Sequence, residues 1–149
     1  MRALIQRVSQ AQVSIDGEVS AQIKQGLLIF LGVGSQDSLQ EAEKLWSKIS
    51  KLRIFEDENG KTNLAASDVA SLEMLVVSQF TLYASMKKGN RPSFTNAAPP
   101  ELARNLYEAF VDKVKADFPS VQTGSFGAYM QVELVNDGPF TIWLDTDEL

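Results

Sequence analysis

The sequence predicts a mixed α/β fold of the α+β kind, with a barrel-like, largely antiparallel sheet and two long flanking helices in a single domain, 1–149. Three observations predict it. Short apolar runs of strand-like length and alternation recur at both ends of the chain. Only two segments carry an apolar stripe at helical spacing. No repeat, low-complexity tract or linker divides the chain, and a domain of this size buries about 70% of its unfolded surface without staples.

Arg2 to Val8 reads as the first strand. Gln12 to Ile15 and Val19 to Ile23 flank Asp16-Gly17, a strong two-residue hairpin signal. After Gln25-Gly26, the continuously apolar Leu27 to Val33 predicts a central strand buried on both faces. Ser38 to about Leu52 reads as a helix. Ser38 and Glu41 have capping-box spacing, and Leu39, Ala42, Leu45, Trp46, Ile49 and Leu52 form its stripe. Arg53-Ile54-Phe55 begins another strand, ended by the acidic turn Glu56 to Gly60, and Leu75 to Val77 is a further inner strand. Pro99-Pro100 opens the second helix, where proline costs no internal hydrogen bond. Leu102, Leu106, Ala109, Phe110 and Val114 make its apolar face, and Phe118-Pro119 closes it. Alternation over Met130 to Val135 and Phe140 to Leu144 predicts a final strand pair around a turn at Asn136 to Pro139.

The chain contains neither histidine nor cysteine. That removes disulfides, thiolate nucleophiles, the usual zinc sites and the Ser-His-Asp and Cys-His constellations together. No metal or cofactor is expected. The N-terminus builds no signal-peptide apolar block and no run is long enough to span a bilayer, so a soluble cytoplasmic protein is expected. A net charge of −5 disfavours a grip on long nucleic acid, because phosphate neutralisation supplies most of that affinity. It leaves room for a local basic patch, of which Lys87-Lys88-Gly89-Asn90-Arg91 is the densest.

Two polar interruptions inside apolar runs carry the functional signal: Ser78-Gln79-Phe80-Thr81-Leu82 and Asn136-Asp137-Gly138-Pro139-Phe140-Thr141. A buried polar group costs about 1–3 kcal/mol unless paired, so such groups are satisfied internally or used on a ligand. Gln79 both donates and accepts, which suits recognition of an ester or amide, and Ser78 and Thr81 can orient a carbonyl or a water. The bland alternative is strand side chains bonded to nearby backbone. Gly138-Pro139 reads either as a simple turn or as a rigid backbone element that recognises a ligand by steric exclusion. A Ser-Lys or Thr-Lys dyad, with Ser78 or Thr81 as nucleophile and Lys87 or Lys88 as base, is a further alternative. Gly32-Val33-Gly34-Ser35 sits where a phosphate-binding turn would, but lacks the third glycine and reads as a strand–helix turn. Glu56-Asp57-Glu58 and Asp145-Thr146-Asp147-Glu148 lack calcium-loop spacing and read as a solvated turn and a solvated C-terminus.

Taken together, the Ser78-Gln79-Phe80-Thr81 and Asn136-Asp137-Gly138-Pro139 motifs resemble those of the D-aminoacyl-tRNA deacylases, also called D-tyrosyl-tRNA deacylases. The resemblance extends through Arg2 to Ser14, Gly26 to Gly34, Asn90-Arg91-Pro92-Ser93-Phe94 and Gly124 to Met130. It implies hydrolysis of the ester joining a D-amino acid to the terminal adenosine of tRNA, with achiral glycine also accepted. It implies a homodimer in which a cis Gly138-Pro139 bond enters the partner's pocket and its carbonyls exclude L side chains. Arg7 would hold that element, and Ser78 and Gln79 would face the ester and the adenosine. Thr81 would be either the catalytic group or a bystander to the tRNA's own 2′-hydroxyl. The implied catalytic set is Ser78, Gln79 and Thr81. The implied substrate-contacting set is Gly138, Pro139, Asn136, Phe80, Arg7, Phe126 and Met130. Partners are tRNA and a second copy of the chain, with no DNA and no membrane. A non-catalytic RNA-end-binding module and a Ser/Thr-Lys hydrolase of small esters or amides are the rival readings.

Overall fold

The first strand, β1 (Arg2–Ile15), organises the molecule. Its N-terminal half pairs antiparallel with β3 (Gly26–Gly32) from Arg2 opposite Gly32 to Val8 opposite Gly26. Its C-terminal half pairs with β2 (Glu18–Ile23), and β8 (Gln131–Asp145) pairs along nearly all of its length. The computed structural model describes all residues, Met1–Leu149. The sheet runs β2-β1-β3-β6-β7, with β6 (Glu73–Ser78) and β7 (Val121–Thr123) added in parallel and β8 beside β1. Parallel neighbours need crossover connections. The β3-to-β6 crossover contains α1 (Leu39–Ile49) and the two-stranded β4 (Arg53–Glu56) and β5 (Thr62–Ala65). The β6-to-β7 crossover contains α2 (Pro100–Asp117). The result is an α+β fold with a nearly closed, barrel-like sheet and two helices.

Two apolar clusters explain the sequence pattern. A cluster of 23 buried residues lies between the sheet and the helices, and a second of 8 fills the other face of the sheet. The central strands serve both. Leu27, Ile29 and Leu31 of β3 and Met74 and Val76 of β6 enter the first cluster, whereas Leu28, Leu75 and Val77 enter the second. That is why these segments are apolar without alternation. Gly26 is required where β3 meets β6: a Cβ there would lie 1.8 Å from the Glu73 carbonyl oxygen.

Helix α1 begins as expected. Ser38 Oγ accepts from the Gln40 amide at 3.2 Å, and Glu41 Oε2 accepts from the Ser38 amide at 2.8 Å. The Ser38 hydroxyl and amide hold the Glu41 carboxyl below its usual range. Helices α1 and α2 meet through Trp46, whose ring sits edge-on to Phe110 and Phe118 at 5.9 and 5.8 Å and whose Nε1 donates to Asp117.

Four local expectations are corrected. Arg2 to Val8 and Gln12 to Ile15 are one strand, because pairing with β3 and then β2 on the same edge leaves no reason to break. The expected final strand pair is also one strand. Residues 131–135 and 141–145 both pair with β1, so Asn136 to Pro139 is no reversal. The register places Gln6 opposite Thr141 and Val8 opposite Asn136. Arg7 alone therefore faces Asp137, Gly138, Pro139 and Phe140, a bulge of four residues against one. The C-terminal acidic run is only partly solvated. Asp145 is buried and accepts from Arg2 Nε at 2.7 Å, and Thr146 is buried against the Met1 ammonium. Strands β5 and β7 were not foreseen. They are three or four residues long, too short for periodicity to register.

Candidate active site

The Ser78 motif begins where the parallel β3–β6 ladder ends. Leu31 lies opposite Ser78, and the Gln79 amide donates to the Leu31 carbonyl at 2.8 Å. The chain then turns through a single 3-10 turn, Phe80–Tyr83. Small residues on the exit from β3 let this turn dock. A Cβ on Gly32 would lie 3.1 Å from the Gln79 carbonyl oxygen, and one on Gly34 would lie 2.6 Å from the Tyr83 hydroxyl. Arg2 clamps the turn from its other end, donating to the Leu82 carbonyl at 3.1 Å with its guanidinium 4.3 Å from the Tyr83 ring centre. The amides of the expected strand–helix turn are used internally: Gly34 N–H donates to Asp37 and Ser35 N–H to the Asn96 carbonyl.

Above the turn opens a cavity of about 710 Å³ between the end of β6, the chain from Phe94 to Pro100, the first turns of α2 and residues 126–130. Fourteen of its twenty lining residues are hydrophobic, so its few polar groups define what it can recognise. Ser78 and Gln79 are half-buried in its wall. Ser78 Oγ makes no hydrogen bond within the chain, whereas Gln79 Nε2 donates to Thr81 Oγ1. Thr81 itself is exposed and lies outside the cavity lining. No lysine is hydrogen-bonded to Ser78 or Thr81, and Lys87 and Lys88 are exposed. Tyr107 lines the cavity, but its hydroxyl donates to the Val76 carbonyl at 2.8 Å, and burial pushes its pKa far up. It is a fixed wall rather than an acid or base. Phe80 and Phe126 belong to two aromatic pairs that line the space: Phe80 packs on Phe94 with centroids 4.9 Å apart, and Phe126 on Tyr107 at 5.8 Å. Met130 lies beside Gly124, where a Cβ would come 2.7 Å from its sulfur.

The second motif forms a separate, outward-facing feature. Arg7 is buried under the β8 bulge. Its Nε donates to the Asp137 carbonyl at 2.9 Å, Nη1 donates to the Ile54 carbonyl, and the guanidinium lies 4.3 Å from the Phe140 ring centre. The Asp137 carboxylate is 3.5 Å from Nε. Asn136 closes the bulge from within, its Oδ1 accepting from the Phe140 amide at 2.9 Å and its Nδ2 donating to Thr141 Oγ1 at 2.7 Å. Gly138 and Pro139 are left exposed, joined by a cis peptide bond, with Gly138 at φ +136°.

Of the ten residues singled out in the sequence, Ser78, Gln79, Phe80, Phe126 and Met130 share the cavity. Thr81 touches it only through Gln79, and Arg7, Asn136, Gly138 and Pro139 belong to the bulge. Phe94, Tyr107 and Tyr129 line the cavity without having been picked out as site residues. Tyr107 falls on the α2 stripe at helical spacing from Ala103 and Phe110, a signal that was present. Tyr129 is nine-tenths exposed and left no pattern.

The family model described as D-Tyr-tRNA(Tyr) deacylase matches residues 4–145. The D-aminoacyl-tRNA deacylase of Thermotoga petrophila is 52% identical over 149 residues, covering 100% of this chain and 99% of that protein. That of Clostridioides difficile is 53% identical over 148 residues, covering 99% of each. Among solved structures, one named c-Myc DNA Unwinding Element Binding Protein superposes with a TM-score of 0.91 at 41% identity, covering 97% of this chain and 98% of that one. A probable eukaryotic D-amino acid tRNA deacylase superposes with a TM-score of 0.80 over 96% of this chain and 97% of that one. At 17% identity, that second likeness speaks for the fold alone.

Proposed function

Because the chain belongs to the D-Tyr-tRNA(Tyr) deacylase family, we propose that its cavity holds the aminoacylated 3′ end of tRNA and hydrolyses the ester of a D-amino acid. The activity is that of a hydrolase acting on aminoacyl-tRNA, and tRNA is the partner its substrate requires. The observation that carries the assignment is the position of Ser78 and Gln79, which present polar groups in the wall of an otherwise apolar, aromatic-edged cavity. Aromatic faces at Phe80 and Phe126 suit an unstacked terminal base, and Gln79 suits an ester carbonyl or a ribose hydroxyl.

In the reaction, a water oxygen adds to the ester carbon and the bond to the ribose 3′ oxygen breaks. That oxygen takes a proton, and the free amino acid leaves. The chain offers no histidine or cysteine, no lysine in contact with a hydroxyl nucleophile, and a Tyr107 hydroxyl committed to backbone. The reading that fits this inventory leaves the proton work to the neighbouring 2′-hydroxyl of the tRNA. The protein then contributes orientation and hydrogen bonds to developing charge, terms worth several kcal/mol in a water-poor site.

Chirality is read by backbone. Gly138 and Pro139 are exposed and braced from beneath by Arg7 and Asn136, yet none of the four lines the cavity of its own chain. A braced, outward-facing element suits insertion into the cavity of a second copy, where it excludes an L side chain and admits hydrogen at that position. Glycyl-tRNA passes the same filter, having no side chain to exclude. The working unit is thus a two-fold homodimer with two composite sites, acting in the cytoplasm where charged tRNA is found.

The direct test is incubation of the purified protein with D- and L-aminoacyl-tRNA and with a free amino-acid ester. D-selective release from tRNA is expected. Binding without release would turn the reading to an RNA-end-binding module, and turnover of the free ester at a comparable rate would turn it to a general small-ester hydrolase.

A further inference from the structure

The basic stretch Lys87-Lys88-Gly89-Asn90-Arg91 is not used by the chemistry above, and its placement is informative. From residue 74 to residue 100 the chain has no acidic side chain, although acidic residues outnumber basic ones 19 to 14 in the whole sequence. Within that acid-free span, Ser85 and Ser93 exchange two backbone hydrogen bonds, Ser85 N–H to Ser93 O at 2.8 Å and Ser93 N–H to Ser85 O at 3.0 Å. The seven residues between them form a closed arm. Next to its base is the edge-on pair of Phe80, five residues before Ser85, and Phe94, which follows Ser93, and both line the cavity.

The arm's tip is exposed, and a Cβ on Gly89 would meet nothing within 4 Å. Lys87, Lys88 and Arg91 are exposed and take part in none of the molecule's four ion pairs. Arg104 on α2 is also exposed and outside those ion pairs, with its guanidinium 4.8 Å from the ring centre of Phe126, which lines the cavity. Cations thus stand on an arm rooted at the cavity wall and against a second lining ring, on a molecule whose net charge would otherwise repel a polyanion.

We propose that the Ser85–Ser93 arm, together with Arg104, is a phosphate-binding clamp. It holds the RNA backbone adjoining the nucleotide that enters the cavity. The proposal rests on the reading of that cavity as a site for the 3′ end of tRNA. It gives the enzyme a sequence-independent grip confined to a few phosphates, which suits a substrate presented on many different tRNAs.

The test uses an unacylated RNA hairpin with a single-stranded 3′ overhang, its binding followed by fluorescence anisotropy between low and moderate salt. The Lys87→Gln/Lys88→Gln/Arg91→Gln variant is expected to bind at least tenfold more weakly at low salt. Its plot of log affinity against log salt is expected to be shallower by about two to three, since each lost phosphate contact removes about 0.7–0.9 from the slope. The Lys48→Gln/Lys51→Gln/Lys61→Gln variant changes net charge equally at positions outside the cavity lining and is the control, expected to bind as the unsubstituted protein does. Equal losses in both variants, an unchanged slope in the arm variant, or no binding of the hairpin by the unsubstituted protein would each overturn the proposal. Binding is read without catalysis, so a protein that binds through the arm but releases no D-amino acid refutes the proposed reaction and leaves the clamp standing.

Discussion

Gln79 is the polar side chain on which the proposed chemistry depends, and its only intramolecular hydrogen bond is to the exposed Thr81 hydroxyl two residues on. This arrangement separates two roles that the shared motif would merge. If Thr81 only orients Gln79, Thr81→Ala removes one neutral hydrogen bond, worth about 1 kcal/mol, and kcat/KM on D-aminoacyl-tRNA falls by no more than about tenfold. On the proposed role, Gln79→Ala removes a hydrogen-bonding group that contacts the reacting ester and is expected to cost about a hundredfold or more, the scale seen when an electrostatic donor is deleted from an acyl-transfer site. A folded Thr81→Ala protein with unchanged substrate affinity and only background turnover would make Thr81 the nucleophile after all. Arg7 is the second telling residue. Its guanidinium serves two backbone carbonyls and an aromatic face at once, a fork that lysine cannot reproduce. Arg7→Lys should therefore lower the ratio of D- to L-aminoacyl-tRNA hydrolysis, measured by parallel release assays, while leaving the cavity's own residues in place. An unchanged ratio would mean that the bulge is braced without Arg7 or does not read chirality.

Among the elements, β3 and α1 show how local sequence choices carry the site. The two glycines that follow the apolar core of β3 let the Gln79–Tyr83 segment dock on it, and Gly26 at its start lets β6 pair in parallel. Gly26→Ala puts a methyl group into the Glu73 backbone at a distance no rearrangement of side chains relieves. It should destabilise strongly or prevent soluble folding. Gly34→Ala is predicted to be milder, because the obstructing group is the Tyr83 ring. That ring is itself buried, so about 1–3 kcal/mol is expected, with loss of activity as the turn is pushed from its seat. A Gly34→Ala protein of unchanged melting temperature and activity would show that the close seat of Tyr83 does not matter. For α1, Ser38→Ala should cost about 1 kcal/mol and lower the melting temperature by about 2–4 °C without touching activity. The linked pH effect has a definite sign. Glu41 is held below the usual carboxylate range, so its contribution is present above the unfolded-state value and is lost as pH falls through the folded-state value. Because Glu41 is almost fully solvated, screening keeps that contribution small.

At the scale of the whole molecule, the cavity and the bulge belong to one chain, but the bulge residues do not line the cavity. Subunit mixing tests whether two chains complete each other. A Gly138→Ala/Pro139→Ala protein keeps Gln79 and should hydrolyse L-aminoacyl-tRNA more readily. Gln79→Ala chains keep the bulge but lack a working cavity. In an excess of Gln79→Ala chains, nearly every working cavity faces an intact bulge, so the D-to-L ratio of the mixture should rise towards that of the unsubstituted protein. With subunit exchange confirmed by mass spectrometry, a ratio that stays low would place the bulge within its own chain. The same model requires a solution mass of twice the chain's 16.4 kDa. Trp143 and Val135, exposed on β8 on either side of the bulge, are the apolar residues available beside it.

Sequence by itself determined the elements whose burial follows from local pattern. The doubly buried β3, the capped α1 and the proline-started α2 were legible because each needs its apolar residues and end groups at fixed spacing, whatever the rest of the chain does. The Ser78 and Asn136 motifs were legible because polar groups within apolar strands must be accounted for. Their roles were not. Alternation is the same in one strand as in two, so only pairing with β1 showed that β8 runs straight through Asn136 to Pro139 and that Arg7 fills the space beneath. Likewise, only the docking of the Phe80–Tyr83 turn onto Gly32 at the end of β3 and Gly34 beyond it placed Gln79 in the cavity and Thr81 outside it. The acid-free span that makes the arm was visible as composition, but closure at Ser85 and Ser93 and the seat beside the cavity are long-range contacts, which a linear pattern does not encode.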